Sequence, residues 1–200
     1  METLQVFHDI SSALAYLHEK KILHNDVRPE NILSSPGEPP ILVNFGAASD
    51  YTPNSDATPS RNDTRFYIPR ECVVRPLRGP PSDVFALGVT ALYLLKKIPL
   101  PEATEKDWDL QKALHGQGPH REAMLAWLQK VGGAAAKLST AENDLECVVR
   151  GALAMDPKER LSASQIVEKL KKLEEASTMG LDRRGFREWR NEDHETRLRD

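Results

Sequence analysis

The stretch His24-Asn25-Asp26-Val27-Arg28-Pro29-Glu30-Asn31 limits most what this chain can become. An acid and an amide, Asp26 and Asn31, stand five residues apart in it. Two short apolar pairs, Ile22-Leu23 and Ile32-Leu33, flank the stretch and read as small strands on either side of a polar loop. Before the loop, Leu4, Phe7, Ile10, Leu14 and Leu17 recur at helical spacing, which predicts an amphipathic helix over residues 2–19. After it, a turn over residues 35–40 leads into Ile41-Leu42-Val43, a buried strand running into Asn44-Phe45-Gly46.

The rest reads as mainly helical. Residues 47–66 are polar apart from Tyr51 and Phe66, and long segments of this kind are usually functional or disordered. An apolar helix is expected from Ser82-Asp83 to about Leu95, with one of these two residues as its cap and Pro99 and Pro101 ending it. Further helices are expected over residues 107–115, 120–131 and 142–154, and a last one from Ser162 or Ser164 to about Glu175. Residues 178–200 hold six Arg and six Asp or Glu around Phe186 and Trp189, too little apolar surface to order by themselves. The division expected is one domain over residues 1–176 and a charged, mobile tail over 177–200.

Composition narrows the function classes. A net charge of −3 gives no electrostatic reason to bind nucleic acid or an anionic membrane. The apolar stretch from Val84 to Leu95 falls short of the ~20 residues a membrane span needs. Two cysteines, Cys72 and Cys147, are too few for a secreted disulfide framework. A reducing compartment is the expectation: the cytoplasm, with the nucleus left open.

The octet at 24–31 resembles the catalytic loop of eukaryotic protein kinases of the serine/threonine type, whose pattern is H-R-D-x-x-x-x-N. Other motifs follow in family order. Asn44-Phe45-Gly46 resembles D-F-G, thirteen residues after Asn31, and Pro69-Arg70-Glu71 stands where the family has A-P-E. Asp63-Thr64-Arg65-Phe66-Tyr67 resembles the segment that receives a peptide substrate. Ser82 to Gly88 resembles the helix that anchors the large lobe, and Asp156-Pro157-Lys158-Glu159-Arg160 resembles the late D-P-x-x-R. The fold implied is a mainly α, kinase-like large lobe with a few short strands around the catalytic loop.

The resemblance also implies roles. Asp26 would accept the proton of a substrate hydroxyl, with Arg28 as the cation on the phosphate side. Asn31 and Asn44 would be the metal-side ligands of an ATP–magnesium complex packed over Leu33. Thr64 and Tyr67 would meet the substrate protein. His24 and Phe45 would belong to a packed column, Asp83 would hold the loop backbone, and Glu71 with Arg160 would form a buried ion pair.

Three departures argue against turnover. Asn44 replaces the metal-binding aspartate; a full charge at ~2.1 Å is a gross attraction on the order of 16 kcal/mol at an effective dielectric of ~20. Desolvation offsets most of it, yet a net loss of ~4 kcal/mol is about a thousandfold in rate. Asn25 replaces the arginine that pairs with a phosphorylated activation segment. Only twenty-three residues precede His24, too few for the nucleotide-gripping small lobe, so that lobe is expected to be absent from this chain. A catalytically impaired kinase-like domain acting through a protein partner is the expectation; the alternative is a serine/threonine kinase whose small lobe lies elsewhere.

Overall fold

A computed structural model of the chain describes residues 3–35, 37–52, 65–74, 78–105, 108–116, 118–142 and 144–176. The first helix, α1 (Thr3–Glu19), buries Phe7, Ile10, Leu14 and Leu17 along the predicted stripe. Four two-residue strands follow: β1 (Ile22–Leu23), β2 (Ile32–Leu33), β3 (Ile41–Leu42) and β4 (Ser49–Asp50). They form two antiparallel ladders, β1 with β4 and β2 with β3. In the second ladder Leu33 lies opposite Ile41, and Ile32 opposite Leu42.

Opposed residues in an antiparallel pair share a face, so this hairpin has one dry side and one open side. Leu42 is buried, whereas Leu33 and Ile41 are 58% and 59% exposed. The buried strand expected at 41–43 is therefore buried at alternate positions only. Strand β4 lies in the polar segment where no strand is expected. Two residues carry no periodic signal; the backbone of β1 is what makes them a strand.

The helices that follow are α2 (Glu71–Val74), α3 (Pro80–Leu94), α4 (Pro101–Thr104), α5 (Leu110–His115), α6 (Pro119–Ala136) and α7 (Leu145–Ala152). A last helix, α8, covers residues 163–176. Helix α3 is the axis of the lobe: every residue from Ser82 to Leu92 is buried, as expected for a helix apolar on all sides. It packs against α1 on one side and α7 on the other. A Cβ on Gly88 would stand 2.8 Å from the Leu153 side chain, so glycine sets how closely α3 approaches the end of α7.

The ends of α3 differ from the sequence expectation. Its N-cap is Gly79, with Pro80 and Pro81 at the first two positions, where a missing N–H costs nothing. Ser82 Oγ reaches back to the Gly79 N–H at 3.4 Å, and Asp83 turns into the protein instead of capping. At the other end the helix stops before either proline. Lys96 takes a left-handed φ of 57°, with Lys96 N–H on Tyr93 O and Lys97 N–H on Leu92 O, both at 2.9 Å. These two bonds satisfy the last carbonyls and close the helix.

Helix α6 runs five residues beyond the expected 131, through Gly132-Gly133, because Val131 and Ala135 are buried beneath it. Their packing outweighs a glycine penalty of about 1 kcal/mol per residue. The choice left open for α8 resolves to Ser162: its Oγ accepts from Gln165 N–H at 3.2 Å, while Gln165 Oε1 accepts from Ser162 N–H at 2.8 Å. Glu71 and Arg160 form a two-pronged ion pair, Nη1–Oε1 at 2.5 Å and Nη2–Oε2 at 3.2 Å. The same guanidinium donates to Ala154 O and Pro81 O and lies 5.1 Å over the Phe85 ring. The tail at 177–200 and Thr64 lie outside the described residues.

Candidate catalytic-loop site

The loop from His24 to Asn31 is held from below by one carboxylate. Asp83, 2% exposed, accepts from the backbone N–H of His24 at 2.9 Å and of Asn25 at 2.8 Å. Its Oδ2 also lies 3.0 Å from His18 Nε2 on α1. Both loop N–H groups belong to residues buried from water, so without Asp83 they would have no acceptor.

His24 is fully buried, and its ring links two chain segments. Asp26 N–H lies 3.3 Å from Nδ1 and Val43 O lies 3.0 Å from Nε2. A neutral ring protonated on Nε2 satisfies both contacts at once. Phe45 meets the same ring edge to face, with centroids 5.0 Å apart. The His24–Phe45 stack implied by the motifs is thus formed, with Phe45 itself 51% exposed.

Asn25 takes a left-handed φ of 63°, a conformation asparagine reaches more readily than most L-residues. Its Nδ2 donates to Ala47 O at 3.0 Å and to Ser49 Oγ at 2.9 Å, tying the loop to β4. Its carbonyl accepts from Arg78 Nη1 at 3.1 Å. Burial lowers the pKa of the Arg78 guanidinium, a cost that the nearby Cys72, Asp83 and Asp26 partly offset. These roles of Asn25 and Arg78 are not legible in the sequence; the one available signal is an asparagine at a turn before a buried acid.

Asp26 is 5% exposed, and Asn31 Nδ2 donates both to its Oδ2 and to its carbonyl oxygen, each at 2.7 Å. Asn31 Oδ1 in turn accepts from Asn44 Nδ2 at 3.1 Å. Asn44 itself has a left-handed backbone, φ 66° and ψ 69°. Asp26, Asn31 and Asn44 therefore form one directed chain of hydrogen bonds.

Arg28 stands at the mouth of the site among carboxylates: Nε is 3.3 Å from Glu30 Oε2 and 3.7 Å from Asp26 Oδ1, and Nη1 is 3.9 Å from Glu102 Oε1. Glu102, from α4, also accepts from the Tyr67 hydroxyl at 3.2 Å. Tyr67 is 2% exposed. Its burial, then the charge of Glu102, pushes the phenol pKa well above the ordinary tyrosine range. Glu102 and His18 are further site neighbours without a local sequence signature. Glu102 arrives from an element distant in the chain; His18, although on the helix just before the loop, meets an Asp83 that is distant in the chain.

Magnesium needs oxygens converging at about 2.1 Å, with at least one carboxylate in typical nucleotide sites. Here the facing groups of Asn31 and Asn44 meet as acceptor and donor, 3.1 Å apart. The carboxylate oxygen bonded to this pair, Asp26 Oδ2, already accepts from Asn31. This donor set does not fit magnesium. Among the described residues there is no cluster of three or more His, Cys, Asp or Glu able to hold a metal ion, and no helix long and apolar enough to cross a membrane.

A buried carboxylate in a loop of a helical lobe, an amide five residues on, a second amide just past β3 and a central helix clamping the loop define the large lobe of a protein kinase fold. The chain belongs to the protein kinase domain family, whose model matches residues 1–170. It is similar to serine/threonine-protein kinase 40 of Xenopus tropicalis, 28% identical over 177 residues, covering 84% of this chain and 35% of that protein. The human serine/threonine-protein kinase 40 is 27% identical over 176 residues, with 84% and 36% covered. Serine/threonine-protein kinase PknD of Chlamydia abortus is 29% identical over 185 residues, with 81% and 18% covered. The chain thus spans about a third or less of the length of these relatives. The family in general uses ATP and magnesium and acts on proteins.

Proposed function

We propose that this lobe belongs to a catalytically impaired kinase-like protein, a pseudokinase, that works in the cytoplasm by binding another protein. The observation that carries the reading is the Asn44 side chain, a neutral amide bonded to Asn31 at 3.1 Å where catalysis calls for a metal-binding carboxylate. The scaffold motifs remain intact around it: the Asp83 clamp, the Glu71–Arg160 pair and the His24–Phe45 stack. These support a stable shape and do not require turnover. The binding face is the open side of the β2–β3 hairpin together with Phe45, three of the six large apolar side chains exposed among the described residues. The resemblance of residues 63–67 to the segment that receives a peptide substrate supports Thr64 and Tyr67 as further candidates for contact with a protein.

A second reading has its own support. Asn31 holds the Asp26 carboxylate with a 2.7 Å bond, and an ordered carboxylate at this position supports a base for transfer of the ATP γ-phosphate to a protein hydroxyl. In that reading the adenine packs over Leu33. A phosphotransfer assay with a generic protein acceptor separates the two. The expected result is no transfer above that of an Asp26→Asn variant, and loss of partner binding in Leu33→Arg/Ile41→Arg at unchanged melting temperature. Transfer that disappears with Asp26→Asn would establish the enzyme reading.

A further inference from the structure

We infer that Asn44 is a lock that keeps divalent metal ions out of this cleft, and that any ligand taken there is taken without one. This deepens the impaired-site reading and rests on it only for where the cleft lies. The direction of the hydrogen-bond chain carries the inference. The Asp26 carboxylate and carbonyl oxygens only accept, so the nitrogen of Asn31 must face them, as it does at 2.7 Å to each. Its oxygen is then fixed toward Asn44, and Asn44 presents nitrogen in return. An amide hydrogen occupies the line between the two side chains, which a shared cation would have to enter. Rotating the Asn44 amide would set oxygen against oxygen, and rotating Asn31 as well would set its oxygen against two oxygens of Asp26. Each alternative replaces attractive contacts by repulsive ones.

Asn31 is 4% exposed, so its oxygen cannot swing out to another ligand without breaking the bonds to Asp26. Asn44 sits in a left-handed conformation, φ 66°, which aspartate shares with asparagine. Asn44→Asp therefore changes hydrogen and charge while the backbone stays. The introduced carboxylate has no N–H to give and faces the Asn31 oxygen, an arrangement that a cation relieves.

The test is a titration of the whole chain with Mn²⁺ alone, followed by paramagnetic broadening of side-chain amide signals in ¹H–¹⁵N spectra. In the wild type the Asn31 and Asn44 signals should broaden no earlier than that of exposed Gln129. In Asn44→Asp the Asn31 signals should broaden at Mn²⁺ concentrations about tenfold lower, equal to about 1.4 kcal/mol of added affinity. Selective broadening at Asn31 and Asn44 in the wild type overturns the inference, and so does a folded variant that responds no better than wild type. If the variant does not fold, the wild-type titration decides alone. Failure of the partner-binding experiment leaves these outcomes untouched, so the two readings fall separately.

Discussion

Removing Asp83 should be among the most damaging single changes in this lobe, because this one buried carboxylate holds two loop N–H groups. The carboxylate accepts the N–H groups of His24 at 2.9 Å and Asn25 at 2.8 Å. His24 is 0% and Asn25 7% exposed, so water cannot replace it without opening the loop. In Asp83→Ala each orphaned N–H costs about 1–3 kcal/mol, so the pair costs about 2–6 kcal/mol, centred near 4. For a domain of this size that lowers the melting temperature by roughly 8–16 °C. It also takes a large share of a total stability of about 5–15 kcal/mol. Asp83→Asn retains one acceptor and turns a donor toward the other N–H, so it should cost nearly as much. His18→Ala removes one side-chain contact and leaves both backbone bonds, so about 1 kcal/mol is expected. Urea unfolding followed by fluorescence of the buried Trp108 and Trp127 measures all three variants. A loss below about 1 kcal/mol in Asp83→Ala would show that the loop satisfies itself by other means and that the clamp argument is wrong.

Two further outcomes follow from the same geometry. Glu71→Ala leaves the Arg160 guanidinium, whose side chain is 0% exposed, without its counter-charge and should cost about 3–5 kcal/mol in urea unfolding. Glu71→Leu/Arg160→Met together should recover only part of that, because no uncompensated charge remains but the Ala154 and Pro81 carbonyls lose their donor. Burial and Glu102 raise the Tyr67 pKa above its ordinary 10.0, so the folded chain keeps a proton that the unfolded chain releases. That contribution is complete below pH 10 and is lost as the pH climbs beyond it; stability measured from about pH 9 to 11 should fall less steeply in Tyr67→Phe than in wild type, and equal slopes would contradict the assigned shift.

Much of the fold can be argued from local pattern. The α1 stripe, the two apolar pairs around the loop and the order of the motifs are properties of short segments, and hydrophobic periodicity reports them directly. Where local reading erred, a neighbour distant in the chain intervened. Ser49-Asp50 becomes a strand because β1 offers it a ladder. Asp83 leaves the capping role because two loop N–H groups from residues 24 and 25 need an acceptor. Helix α6 continues through two glycines because residues on its far side are buried.

The candidate site divides in the same way. That Asp26, Asn31 and Asn44 stand in a kinase-type order, and that residue 44 lacks a negative charge, is decided by the amino-acid sequence alone. Which end of each amide faces which neighbour is decided only in three dimensions. That orientation depends on acceptors contributed by other segments, beginning with the Asp26 carboxylate, and it determines whether the cleft offers oxygens to a cation or a hydrogen bond in its place. Side-chain chemistry is inherited with the residue, whereas the direction of a hydrogen bond belongs to the pair that forms it.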